Sequence, residues 1–299
     1  MSYEISGREF NWEIALAAQA ACVLEVDAPK PGNVNRYHDF DDATMEDFHL
    51  SALAIGRPFG YIHVQGVGKT VLEAVKATRR WVSTNTNLGI LLLLAPLGLA
   101  WSRIRLRPDD AVSPRELPNL WKTEIQWVLD HLTVLDTAFV YQAIREASPA
   151  GMGNVNQYDI NEQAPSVTLL EVMRPAADRD LIARQYTDGF SLVLEQGRES
   201  FAAALEKGLP LPCAINETFL FLLSLHADTL IARKLGQKRS EEVRQLALQV
   251  RNRQMGAEEL DRLLRSEKHH TLNPGTTADL TAAVIFIYLL EKNRLTTSL

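Results

Sequence analysis

The residues of this chain able to carry chemistry fall in four short islands. The first is the segment 25–42, EVDAPKPGNVNRYHDFDD, where a rigid Pro-Gly turn holds a lysine beside several carboxylates. Lys30, in one turn with Gly32, can meet a phosphate as a point charge, and Asp39, Asp41 and Asp42 can hold a divalent cation that keeps most of its waters. A solvated acidic loop whose carboxylates cap the next helix accounts for the same residues. The second island is Thr84-Asn85-Thr86-Asn87-Leu88-Gly89, hydroxyls and amides at the mouth of a very apolar helix. Helix capping needs one such residue, and four in a row favour an anion held by backbone N–H groups and the helix dipole. In the third island Asp228 follows the apolar run FLFLLSL. Buried and unpaired inside a helix it costs several kcal/mol, which a metal ion or a basic partner would offset. A surface aspartate paired with Arg233 is the plainer alternative. The fourth is the segment 273–279, NPGTTAD, whose Gly275 and Thr276 form a small-residue loop suited to close backbone approach by a ligand. Thr276 or Thr277 caps the last helix there, and Asp279 lies in its first turn, where a carboxylate is favoured.

Other chemistries find no support. Gly66-Val67-Gly68-Lys69-Thr70 ends like a phosphate loop, but the pattern needs a glycine where His63 stands and a preceding strand. It reads as a helix start with Lys69 in solvent. No histidines stand at ligand spacing, the adjacent His269 and His270 lie in a charged, exposed stretch, and no Gly-x-Ser-x-Gly turn offers an acyl-transfer nucleophile. A net charge of −6 leaves no broad basic surface for nucleic acid. Cys22 and Cys213 are far apart and read as two reduced thiols of a cytoplasmic protein. The acidic N-terminus lacks the basic and apolar regions of an export signal. The most apolar segment, Leu88 to Trp101, is shorter than the roughly 20 residues that cross a bilayer.

The elements that must position these islands are helices. Apolar residues recur at helical spacing almost everywhere, and alternating runs bounded by turns are nearly absent, which gives an all-α, single compact multi-helix domain over 1–299. A first helix runs from Asn11 to the stop at Pro29 and Pro31, and a second opens at the Thr44/Asp47 capping pair and ends near Gly56. Others cover 66–82, the buried segment from Leu88, 117–131, 134–147, 168–197 with a break near Pro175, 216–235, 240–251 and 277–292. The stretch 148–165, rich in Gly, Asn and Pro, is the one long loop, and its Gly153-Asn154-Val155-Asn156 echoes Gly32-Asn33-Val34-Asn35. Trp101, Trp121 and Trp127 supply aromatic surface for a homodimer face.

As an ordered set along nearly the whole chain, the islands resemble the triphosphoribosyl-dephospho-coenzyme A synthase family. The resemblance rests on Glu25, Pro29-Lys30-Pro31-Gly32 with Val34, Asp39-Phe40, Ser51-Ala52, Thr84-Asn85-Thr86 with Gly89, Asp228-Thr229 and Pro274-Gly275 with Ala278-Asp279-Leu280. It implies an all-helical enzyme using ATP as a ribosyl donor: the hydroxyl of dephospho-coenzyme A attacks ribose C1, adenine leaves and the triphosphate is retained. On that resemblance Lys30, Thr84, Asn85 and Thr86 contact phosphates, Asp39, Asp228 and Asp279 hold Mg²⁺ or face the ribosyl carbon, and Glu25 is the general base. Asn87 and Leu88 stand where the family pattern carries His and Lys. Arg36-Tyr37-His38-Asp39-Phe40 replaces its Gly-Ala-His-x-Asp-Met segment, and Gly275-Thr276-Thr277 its Gly-Gly-Ser. These departures resemble a divergent branch and leave the acceptor open between dephospho-coenzyme A and another cofactor precursor. A Mg²⁺-dependent N-glycoside hydrolase and a non-catalytic helical nucleotide-binding protein are the competing readings.

Overall fold

The computed structural model describes residues 9–107, 113–148, 158–267 and 270–297, and in them the chain is helical with no strand. Asn11 starts α1 (Trp12–Asp27) by accepting a hydrogen bond from the Ile14 amide, and the Ala28-Pro29 step ends it. The Thr44/Asp47 capping box opens α2 (Met45–Ala54), which a short α3 (Gly56–Gly60) follows. Then come α4 (Ile62–Arg79), α5 (Leu88–Ile104), α6 (Leu117–Asp130) and α7 (Val134–Ala147). The expected helix over 168–197 is instead α8 (Leu169–Met173), a 3-10 turn at Arg174–Ala176, α9 (Leu181–Thr187) and a π-helical turn at Leu192–Gly197 that leads into α10 (Arg198–Glu206). The chain ends with α11 (Leu211–Leu225), α12 (Thr229–Leu235), α13 (Gln237–Arg251), α14 (Ala257–Arg265) and α15 (Gly275–Thr297). No helix among the described residues is long and apolar enough to cross a membrane.

The core is built on two helices that are apolar nearly all round, α5 and α15, as a helix buried on every side must be. They pack on each other and on α1, while α4 and α6 flank α5. Pro96 interrupts α5 and removes the amide that would serve the carbonyl of Leu92. The buried hydroxyl of Tyr186, on α9, donates to that carbonyl at 2.7 Å. A smaller core under α11, α13 and α14 contains Phe219, Leu223, Val243 and Leu260.

The segment 66–70 is helical with Lys69 exposed, as expected, and it is a helix crossing: Gly66 kinks α4 at φ 75°, and the Gly68 amide donates to Asp136 on α7 at 2.8 Å. A Cβ at Gly68 would lie 2.5 Å from the Asp136 Cα, so that glycine lets two helices touch. The helix expected over 216–235 breaks at His226, because Asp228 is an N-cap and not a mid-helix residue. Trp101 and Trp121 are stacked in the core and offer no dimer face, and only Trp127 of the three is partly exposed, with Arg103 over its ring. The motif echo at residues 153–156 lies outside the described residues.

Candidate active site

The N-terminal ends of α5, α9, α12 and α15 converge on one cavity of ≈ 910 Å³. Its wall includes Glu25, the whole Thr84–Gly89 turn, Gly275, Thr276 and Asp279 from the expected site. The sequence islands, more than two hundred residues apart, thus meet at one place.

Asp279 lines this cavity. It is half-buried and has no hydrogen-bond or ion-pair partner among the described residues. Its carboxylate rests on the first turn of α5, so close that a Cβ at Gly89 would lie 2.0 Å from Oδ2. Burial, then the charges of Glu25, Asp228 and Asp180, hold its carboxyl well above the usual range, opposed by Arg233. Thr84 is a second unsatisfied group: its Oγ1 is buried without a partner. The rest of the turn is committed locally, since Asn85 accepts from the Leu88 amide at 3.1 Å, Thr86 bonds Ser51 at 2.6 Å and Asn87 donates to Thr78 at 3.2 Å.

Four expected site residues lie outside this cavity wall and do other work. Lys30 is fully buried, 3.0 Å from Glu25 Oε1, and also donates to the carbonyls of Glu25 and Ala28, so its charge neutralises a carboxylate and does not reach out to a phosphate. Burial pushes the Glu25 carboxyl up and the Lys30 ammonium down, each opposed by the other's charge. Gly32, at φ +77°, packs beneath Leu264 and donates its amide to Asp261 at 2.8 Å, tying the loop to α14. Asp39 is exposed and accepts from the Met45 amide at 2.8 Å, as a cap of α2.

Asp228 is fully buried, as the expensive reading required, but neither a metal nor Arg233 satisfies it. One oxygen accepts from the amides of Leu230 and Ile231, the other from the amide and hydroxyl of Thr277 at 2.7 and 2.8 Å. It joins the starts of α12 and α15. Arg233 faces Asp180 instead, at 3.7 Å. Asp39, Asp228 and Asp279 therefore do not form one metal centre, and no group of three ligating side chains able to hold a metal ion occurs among the described residues.

The structure adds groups that sequence reasoning did not place at the site. Arg79, Arg179, Arg233 and Lys234 line the cavity and give it cationic groups beside its carboxylates. Asp180 caps α9 through the Ile182 and Ala183 amides. His270, expected in solvent, lines the cavity stacked on Phe40, with ring centroids 4.1 Å apart. No local signal separated these arginines from surface ones; only their place at helix ends near the islands could have pointed to them.

The model of one protein family, CitG: ATP:dephospho-CoA triphosphoribosyl transferase, matches residues 11–298. A crystal structure from Archaeoglobus fulgidus, ascribed to triphosphoribosyl-dephospho-coA synthase, superposes with a TM-score of 0.62 at 28% identity, covering 81% of this chain and 97% of that one. A search of curated proteins finds no match. With the family pattern running almost from end to end and its islands gathered around one cavity, the chain belongs to the ATP:dephospho-CoA triphosphoribosyl transferase family.

Proposed function

We propose that this cavity transfers the triphosphoribosyl group of ATP to dephospho-coenzyme A, with Asp279 as the group that accepts the proton of the attacking hydroxyl. The observation that carries the reading is the carboxylate of Asp279, unpartnered among the described residues where four helices begin. The acceptor oxygen bonds to ribose C1, the C1–N9 bond breaks with its electrons passing to adenine, and the hydroxyl proton reaches the departing ring through Asp279. A carboxyl raised above its ordinary value is the stronger base, which suits work near neutral pH. Glu25, tied to Lys30, acts as a fixed partner: with Asp279 it places negative potential beside a carbon that gains positive charge in the transition state.

The triphosphate fits the opposite chemistry. Arg79, Arg179, Arg233 and Lys234 supply charge-assisted donors, and Thr84 Oγ1 a hydroxyl with no other use. A divalent cation fits this donor set, because the repulsion around Asp279 is what a cation relieves, and Mg²⁺ is commonly held by one or two carboxylates plus substrate phosphates. Asp180, whose Oδ2 accepts no amide, is the residue that would hold Mg²⁺, which would screen the charge of the phosphate oxygens and leave Asp279 to the hydroxyl. Room for two substrates is consistent with the cavity, whose volume is at the upper end for small-molecule sites.

Incubation with ATP, Mg²⁺ and dephospho-coenzyme A tests this, with free adenine and the adduct mass as readouts. Acceptor-dependent adenine and the adduct are expected, lost in Asp279→Asn and retained in Asp39→Asn. Thr84→Val should raise the dissociation constant for ATP about tenfold or more, the loss of one hydrogen bond to a charged group. Adenine without acceptor would mean hydrolysis, and ATP binding without turnover a binding protein; either result rejects the proposal.

A further inference from the structure

The proposed base has no hydrogen bond to orient it, so something else must fix where its carboxylate points. The contact that does so is with Gly89. An added Cβ there would meet Asp279 Oδ2 at 2.0 Å and Cγ at 2.6 Å, distances that side chains do not tolerate, and Ile182 Cδ1 at 2.9 Å. Gly89 is the second residue of α5, whose other early residues Leu88 and Ile90 are apolar and buried. Its φ is not in the left-handed region, so the backbone does not demand glycine here. A glycine is also the poorer helix former. Helix stability favours alanine at this position, and the groups nearest to an added Cβ are Asp279 and the tip of Ile182.

We infer that Gly89 is a positioning residue for the transfer: the missing side chain is the seat in which the Asp279 carboxylate lies against the first turn of α5, at the edge of the cavity. The inference rests on the assignment of Asp279 above. The seat places a negative group at the positive end of a long helix without spending its oxygens on capping bonds. Those oxygens stay available for a substrate hydroxyl, in contrast to Asp228, whose oxygens accept from three amides and a hydroxyl, and to Asp180, whose Oδ1 accepts from two amides while Oδ2 faces Arg233.

Gly89→Ala tests this, read in two independent ways. In the transferase assay it should lower kcat by about a hundredfold, the scale of loss from a misplacement near 1 Å, while the KM for ATP stays nearly unchanged. In a carbon-13 spectrum of labelled aspartate carboxyls, with Asp279 assigned by its loss in Asp279→Asn, the titration of Asp279 should move down toward the ordinary range as the carboxylate is pushed out toward solvent. Gly89→Ala/Ile182→Val removes the clash with Ile182 Cδ1 and keeps the one with Asp279, so it should be as impaired as the single variant. Recovery in the double variant, or an unmoved Asp279 titration, overturns the inference. If the wild-type protein makes no adduct, the transferase reading fails, and the titration alone decides whether Gly89 positions Asp279.

Discussion

At the scale of single residues, the site keeps charge where burial opposes it. Asp279 has its carboxyl raised well above 3.8, first by burial and then by three neighbouring carboxylates. Between its unfolded and folded values the native state therefore binds more protons than the unfolded one, and stability falls as pH rises through that window. Asp279→Asn removes the conflict, so it should stop adenine release and yet raise the melting temperature, more at about pH 8 than at about pH 4. A lower melting temperature at the higher pH would mean that the carboxylate is compensated in the fold. Lys30 behaves oppositely. It is the partner that makes a buried Glu25 tolerable, and Lys30→Met should cost about 3–5 kcal/mol in denaturant unfolding by leaving that charge unpaired. Adding Glu25→Gln should restore much of the loss. The sequence singled out both positions but reversed the duty of Lys30, because its burial depends on how the loop folds back on α1 and on an α14 more than two hundred residues further along.

Among the elements, what could be read locally was read well, and what failed depended on distant partners. The apolar run of α5 announces a buried helix, and the caps at Asn11 and Thr44 fix the starts of α1 and α2. The breaks at Pro175 and His226 differ in kind. A proline signals its own interruption, whereas the helix ends at His226 because Asp228 finds four donors, two of them on Thr277. Nothing local announces α14, because only Leu260, Leu263 and Leu264 mark its apolar face in a charged segment. Pro96 shows an element repaired by another: the Leu92 carbonyl that it deprives of an amide is served by Tyr186 of α9. Tyr186→Phe should cost about 1–3 kcal/mol in denaturant unfolding, the price of a buried carbonyl left without a donor. In a Pro96→Ala background, where the helix amide returns, the same change should cost far less, and equal losses in both backgrounds would show that the Tyr186 hydroxyl is not compensating for the proline.

Over the whole molecule, the question is whether the two apolar clusters form one cooperative body. The larger is built on α1, α4, α5 and α15, the smaller on α11, α13 and α14. Two helices belong to both: α11 gives Ile215 and Leu222 to the first and Phe219 and Leu223 to the second, and α15 gives Leu280 to the first and Ala278 to the second. Neither cluster can lose its packing without stripping a face from the other's helices. The loop at Gly32 adds a polar tie, since Asp261 accepts its amide at 2.8 Å and Arg265 donates to the Asn33 carbonyl at 2.5 Å. The cavity lies at this junction, because its α15 residues come from the turn that the two clusters share and its Glu25 from the helix that leads into that loop. A single calorimetric transition is therefore expected, with calorimetric and van't Hoff enthalpies in agreement, shifted as one peak to higher temperature by saturating ATP. Two resolved transitions, only one of them moved by ATP, would show that the smaller cluster folds as a separate unit and that the site belongs to the larger one alone.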